Sequence, residues 1–256
     1  MIGLGKSDYI LSVGEFFAND SLKSSLEKAC RNGAEFIYLH PIDNFKLKDL
    51  YTQFIKYEVG SEEAILALVL NFFSKSKEDE LESFLEELDL GYLSAESSAG
   101  EEEFEEAFLK FQEKTKQILL VGDDLIHHER YENIIKLLAN IKKYTNFELI
   151  FLNQDLENDV NSCLDLKLEE IEDLKSFNGA LVYFLNKDES SDYLFVSQTF
   201  LNVTKTQDKD RVSLKIDDTI FEKEIKLEKN LLGTIALIDN KKDSYSFAKV
   251  IVEKKG

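Results

Sequence analysis

The chain is 256 residues long and sets 50 acidic residues against 31 Lys and Arg, a formal net charge of −19. That balance excludes a phosphate-backbone binder, which needs concentrated Lys and Arg. Two cysteines, Cys30 and Cys163, exclude a disulfide framework and any all-cysteine iron–sulfur or zinc site within the chain. No apolar run approaches the roughly 20 residues of a membrane-spanning helix, and the start lacks a charged-then-apolar signal pattern. A cytoplasmic chain without direct membrane insertion is expected.

The first segment, DYILSV (8–13), is a short apolar run of the kind a doubly covered parallel strand shows. Asn19, Asp20 or Ser21 caps the next helix, whose Leu22, Leu26, Ala29 and Cys30 share one face. Gly33 ends it, and EFIYL (35–39) is the second strand, stopped by His40 and Pro41. Right-handed crossover makes the two strands parallel neighbours. Phe54 to Glu58 reads as a short edge strand. Ser61 then caps a helix with Glu62 and Glu63 in its first turn, where carboxylates favour the helix dipole, and with Ala64, Ile65, Leu68 and Phe72 inward. Leu81, Phe84, Leu85 and Leu88 mark an acidic amphipathic helix; Phe104, Phe108 and Phe111 mark another, core first and partner surface second. SAESSAG (94–100) between them is linker-like.

QILLV (117–121) then repeats the plan of strand, Gly-acidic turn (Gly122, Asp123, Asp124), long helix (burying Tyr131, Ile134, Ile135 and Leu138) and strand, FELIFL (147–152). A helix is expected within Leu164–Phe177, and strands at 180–185 and 193–196. After about residue 208 the pattern becomes hairpin-like, with strands at 212–216, 220–227, 234–238 and 247–252. The expected fold is α/β, a Rossmann-like doubly wound, mostly parallel sheet of strand–helix–strand units with a β-rich C-terminal segment. The expected divisions are 1–93, a first Rossmann-like unit; 94–115, linker and helix; 116–207, a second unit; and 208–256, a β-rich extension.

The blocks from Asp8 to Gly14, from Arg31 to Pro41 and from Tyr57 to Leu68 together resemble the nucleotide-binding domain of molybdopterin oxidoreductases. That family runs strand-Gly-x-Asn, helix, Gly-x-x-four apolar-Asp-Pro-Arg, then Pro-Gly-Thr-Asp-x-Ala. The later blocks Lys116–Gly122, Asp192–Thr204 and Asp210–Leu214, with Glu222 and Gly233-Thr234, are similar to its next domain. Within the family the chain is most similar to the G-type subunit of NADH–quinone oxidoreductase, respiratory complex I. The resemblance implies the other subunits of a respiratory electron-transfer complex as partners, a place on the inner face of the cell membrane through that complex, and no catalysis by this chain alone. It also implies that the family's iron–sulfur clusters belong to a cysteine-rich N-terminal region that this sequence does not contain.

The family's cofactor is molybdopterin guanine dinucleotide, and the chain departs from the pattern where that cofactor would bind. Gly-x-Asn is Gly14-Glu15-Phe16, the ribose-binding Asp is His40, the Arg two residues later is Ile42, and Pro-Gly-Thr-Asp is Val59-Gly60-Ser61-Glu62. A nucleotide needs donors for phosphate and an acceptor for sugar hydroxyls; Glu15 repels phosphate instead. The expectation is therefore no cofactor, with Gly14, Glu15, His40, Gly60, Gly122, Asp123 and Asp124 as a vestigial site into whose cleft Phe16 or Phe17 packs. No metal site and no catalytic residue are expected.

Alternatives stay open. Asp123 and Asp124 could bind Mg²⁺ or do acid–base work in a nucleotide-binding enzyme, although a helix N-cap is the plainer reading. His127-His128-Glu129 invites a metal, but adjacent histidines on a helix point some 100° apart, which favours a surface or capping role. His40 is either a ligand contact or a strand-terminal residue of the fold. An acidic protein-interaction module without any electron-transfer link is the third class.

Overall fold

The computed structural model describes residues 3–75, 79–171, 174–186 and 190–255, with the backbone alone at 79 and 80. The chain forms two compact units, Met1–Pro41 with Leu47–Lys175, and Ile42–Lys46 with Ser176–Gly256.

In the first unit the elements are β1 (Tyr9–Val13), α1 (Asp20–Arg31), β2 (Glu35–Leu39), β3 (Gln53–Ile55), α2 (Glu62–Phe73), α3 (Asp79–Glu87), α4 (Leu90–Ser97), α5 (Glu101–Gln112), β4 (Gln117–Val121), α6 (Tyr131–Tyr144), β5 (Glu148–Phe151) and α7 (Gln154–Ser162). Their strands make one five-stranded sheet in the order β3-β2-β1-β4-β5, parallel throughout. β1 and β4 lie at its centre and are buried at every position, which is why both read as unbroken apolar runs. The two strand–helix–strand repeats therefore share one sheet rather than forming the separate units expected at 1–93 and 116–207. The division falls after Lys175 instead.

Alternate residues of each strand feed opposite faces. Ile10, Phe36, Tyr38, Ile118 and Leu120 pack with Leu22, Leu26 and Ala29 of α1. Tyr9, Leu11, Val13, Ile37, Leu39, Leu119 and Val121 pack with α2, α5 and α6. The cap of α1 is Asn19, whose Oδ1 accepts from the Ser21 and Leu22 amides at 2.8 and 3.2 Å.

Helix α2 departs from the expected one-sided burial. Residues 64–70 are all fully buried, and Phe73 rather than Phe72 is the deep aromatic. A helix apolar all round belongs inside a unit, and α2 lies among α4, α5 and α6. Each Leu, Ile or Val buried there contributes about 1.5–3 kcal/mol. Phe111 and Phe147 pack on Tyr9 and Phe73 packs on both, and the Tyr9 hydroxyl donates to the Ala107 carbonyl at 2.9 Å, which fastens α5 to β1. The linker-like 94–100 stretch is mostly helix: α4 runs through Ser97, Ser98 turns left-handed, and Gly100 starts α5.

The expected helix within Leu164–Phe177 is also corrected. Residues 163–171 belong to no helix or strand, and residues 172–173 lie outside the described residues. Leu164, Leu166 and Leu168 recur with a period of two. The buried Asn133 and Asn140 of α6 satisfy the strap's backbone: Asn140 Nδ2 donates to the Leu166 carbonyl at 3.0 Å, and Asn133 Oδ1 accepts from the Glu169 amide at 3.0 Å.

The second unit holds β6 (Leu181–Phe184), β7 (Tyr193–Val196), α8 (Gln198–Thr204), β8 (Arg211–Ile216), β9 (Thr219–Leu227), β10 (Ile235–Ile238), β11 (Phe247–Lys249) and β12 (Ile251–Lys254). They form a mixed seven-stranded sheet, β11-β6-β10-β7-β9-β8-β12. Because β6 and β7 pair with β10 and β9, residues 176–207 join the β-rich part, and the expected boundary at 208 moves with them. Ser197 caps α8 through the Phe200 amide at 2.9 Å. The run 247–252 breaks into two strands at Val250. Among the described residues no helix is long and apolar enough to cross a membrane.

Candidate functional site

The order β3-β2-β1-β4-β5 reverses direction between β1 and β4, the switch point where open α/β sheets place ligands beyond the strand ends. Gly14 and Gly122 follow those two strands. Gly14 has φ +67°, a left-handed backbone that favours glycine. A Cβ on Gly122 would lie 2.0 Å from the Gly14 carbonyl oxygen. The close backbone approach that a dinucleotide-binding turn makes to a phosphate is here made by the chain's own turn.

The donors at that turn are engaged in the same way. The Gly122 amide donates to the Val13 carbonyl at 2.9 Å and the Asp124 amide to the Gly14 carbonyl at 3.1 Å. The Phe17 amide donates to Glu15 Oε1 at 2.5 Å. Phe16 and Phe17 are both buried. The Phe16 ring lies 5.6 Å from the His40 ring, and Phe17 meets Phe36 and Tyr38 edge-on at 5.7 and 6.0 Å. Burial, then the neighbouring Asp124 and Asp123 charges, push the Glu15 carboxyl up to about 8. Burial and those charges favour the protonated form of Glu15, whose carboxyl also accepts the Phe17 amide within its own loop.

His40 is buried at the end of β2, stacked on Tyr38, with Nε2 3.2 Å from Asp124 Oδ2. The expected N-cap role for Asp123 and Asp124 is corrected by this pairing: residues 123–125 form a single 3₁₀ turn, and α6 starts only at Tyr131. Asp123 stays exposed.

A second buried cluster sits at the start of α2. His128 Nε2 lies 3.1 Å from the Gly60 carbonyl and 3.4 Å from Glu62 Oε2, while its Nδ1 accepts from the Arg130 amide at 3.0 Å. Burial alone would lower the His128 pKa, but the hydrogen bond to Glu62 and that residue's charge outweigh it and raise the pKa above the ordinary histidine value. Glu63 accepts from Arg130 Nε at 3.2 Å and Asn133 Nδ2 at 2.5 Å. Glu62 and Glu63, expected merely to complement a helix dipole, are buried partners of α6 and the turn before it, and His128 is a buried linchpin instead of a surface or cap residue. His127 and Glu129 remain exposed. Tyr57, fully buried, feels both clusters: burial first, then the charges of Glu62 and Asp124, push its hydroxyl well above the ordinary tyrosine range.

Dinucleotide binding asks for free amides and an acceptor at the strand ends. Here the Gly122, Asp124 and Phe17 amides are spent within the chain, His40 is held by Asp124, and two phenyl rings are packed in. The residues present do not fit the pterin dinucleotide of the resembled family.

No family model matches the chain, and no curated protein matches it by sequence. Among solved structures, acetylene hydratase from Pelobacter acetylenicus is similar, with a TM-score of 0.41 and 17% identity over 46% of this chain and 18% of that enzyme. The match thus spans under a fifth of the enzyme's length.

The structure brings Gly14, Glu15, His40, Gly122, Asp123 and Asp124 to one sheet end, with Gly60 in the neighbouring His128 cluster. Tyr57 was missed by sequence reasoning, since a tyrosine beyond an edge strand carries no motif. The partners of Glu62 and Glu63 were missed because they lie 66 to 70 residues further on, a separation that no helix-period argument reaches. No group of three or more His, Cys, Asp and Glu suited to a metal occurs among the described residues. A groove of about 840 Å³ between α3, α4, α6 and the 166–171 strap, with Phe84, Leu88, Tyr92 and Ile171 in its walls, shares no residue with this sheet end.

Proposed function

We propose that the chain is a ligand-free Rossmann-type module that acts as a structural part of a G-type subunit in an NADH–quinone oxidoreductase complex. The observation that carries the ligand-free part is the occupation of the switch point by the chain's own Gly14–Gly122 crossing, with every local amide donor named above already bonded. The resemblance of the 8–14, 31–41 and 57–68 blocks supports the assembly part. In this reading the chain works on the cytoplasmic side, held at the inner membrane face by neighbouring subunits, and carries neither molybdenum nor pterin.

Metal and pterin analysis of the pure chain tests the first part, together with thermal shift against guanine and adenine nucleotides. A flat nucleotide response and no stoichiometric pterin or molybdenum are expected; either ligand at stoichiometry overturns the reading. Co-purification with quinone-reductase subunits tests the second part. A chain that associates only with proteins outside electron transfer would instead be an acidic interaction module.

A further inference from the structure

We propose that the groove between α3, α4, α6 and the 166–171 strap is a docking site for a basic amphipathic helix of a partner protein, with apolar side chains entering the groove and Lys or Arg along both flanks. The groove lies wholly in the first unit. This goes beyond the assembly role and holds whether or not the chain belongs to a respiratory complex.

The groove is built from apolar stripes that the fold leaves half-covered. Phe84 and Leu88 recur at i and i+4 on α3, Tyr92 follows on α4, and Leu166, Leu168 and Ile171 come from the strap; each is half-buried. Helix α3 is the least covered wall: of its described side chains only Leu81 is buried, while Phe84, Leu85 and Leu88 are half-buried. A helix of nine residues is marginal in water by itself and draws its stability from packing its apolar face. The opposite wall is fixed in advance. Asn140 Nδ2 donates to the Leu166 carbonyl at 3.0 Å, and the Leu174 amide donates to the Tyr92 hydroxyl at 3.4 Å, so the strap is tied on both sides of the groove. A wall already in place spares the occupant the entropy of ordering it. The volume, about 840 Å³, is that of a full binding pocket.

Charge selects the occupant. Glu87 and Asp89, both exposed, border the groove where α3 gives way to α4, and the exposed Glu170 borders it on the strap; Lys167 is the one cation among the residues lining it. Helix α3 adds Glu82 and Glu86 on its exposed side. Carboxylates therefore stand on two walls of an apolar slot, which complements an apolar helix stripe flanked by cations. A second copy of this chain would bring the same acidic rims together, and like charges repel. A small polycation such as spermine would meet the carboxylates but leave the rings and leucines uncovered. Exposed ion pairs contribute little each, so the apolar anchors supply most of the affinity, and the charges decide which helix binds and how fast.

The test is made on the full chain. It is titrated, by fluorescence anisotropy, with a labelled peptide of about 18 residues, long enough to fold as a helix on binding. The peptide carries Leu at i, i+3, i+4 and i+7 and Lys elsewhere, and a scrambled peptide of the same composition is the control. The ordered peptide is expected to bind at least about tenfold tighter than the scrambled one, and carbodiimide coupling is expected to join its lysines to Glu87, Asp89 or Glu170. Leu88→Ala and Leu168→Ala are each expected to weaken binding about tenfold. Glu87→Lys combined with Glu170→Lys changes exposed side chains only; it is expected to weaken binding by about the same factor and to flatten its salt dependence. That variant keeps the proposal testable if the leucine variants fail to fold. Equal affinity for the scrambled peptide, which would mean attraction by net charge alone, overturns the proposal. So does binding that all these variants leave unchanged, displacement of the ordered peptide by spermine at matching concentration, or self-association of the chain that Leu88→Ala abolishes.

Discussion

Gly122 lies against the Gly14 carbonyl so closely that a Cβ at position 122 would sit 2.0 Å from the oxygen and 2.4 Å from its carbon. The obstacle is backbone, not the tip of a flexible side chain, so the sheet end itself must shift to admit a methyl group. Gly122→Ala is expected to destabilise the first unit by about 3 kcal/mol or more, at the upper end of overpacking costs. Gly14→Ala meets mainly the Leu125 side chain, at 3.2 Å, plus the left-handed backbone, and should cost about 1–2 kcal/mol. Urea unfolding of both variants checks the order; equal losses would show that the crossing is not the tight point.

The buried His40–Asp124 pair gives a second prediction. Removing one partner breaks the 3.2 Å contact beside a buried polar group, at about 3 kcal/mol. His40→Ala and Asp124→Ala should each lose about that much. The double variant should lose clearly less than their sum, because the contact is lost only once. A double-mutant cycle by chemical unfolding reads this directly, and strict additivity would mean that the 3.2 Å contact carries no coupling.

Stability should also fall as pH rises across neutrality. The Glu15 carboxyl is raised from 4.5 to about 8 in the fold. Between those values the native state holds a proton that the unfolded chain has released, so stability declines with pH at up to about 1.4 kcal/mol per unit for that one proton. His128 acts in the same sense: its folded pKa is raised above 6.5, so its contribution is complete below 6.5 and is lost as pH rises through the folded value. Asp8 works oppositely at the acid end. Burial raises its pKa, but hydrogen bonds from the Lys116 and Thr115 amides and the Thr115 hydroxyl win and hold it below 3.8, so its stabilisation is lost as pH falls past that point. Urea midpoints measured from pH 3 to 9 should therefore peak on the acid side of neutrality, and Glu15→Gln should flatten the alkaline limb.

Much of the sheet was legible because its cause is local. YILSV and QILLV are continuous apolar runs since both faces of those strands are covered, and Asn19 and Gly33 punctuate α1 by the side-chain cap and left-handed turn that each supplies. The glycines and acids of the sheet end were legible too, as departures from a pattern. What those acids do was not, because it depends on pairs far apart in the chain: Asp124 faces His40 across 84 residues. The single sheet was hidden for a similar reason. Two copies of one strand–helix–strand plan read equally well as two units, and only the β1–β4 pairing joins them.

The 163–171 strap shows the same limit and supplies the last prediction. Leu164, Leu166 and Leu168 alternate with a period of two, where a helix was expected. The strap's partner is helix α6. Asn133 and Asn140 stand two turns apart on α6, both almost fully buried, and each offers an amide to the strap's backbone. Asn133 also accepts from the Glu169 amide and donates to Glu63 Oε1, so it joins the strap to α2. Arg130, just before α6, and Lys136 within it add contacts to Glu170 and Glu169. Asn133→Ala removes bonds to both the strap and a buried carboxylate and should cost about 2–3 kcal/mol. Asn140→Ala touches the strap and its own helix only, and should cost about 1 kcal/mol. Both should speed proteolytic cleavage within 163–171 before the sheet unfolds, since the strap would then hold fewer bonds than the elements beneath it. If cleavage in both variants tracks global unfolding, the strap is an integral part of the core and the asparagines do not anchor it separately.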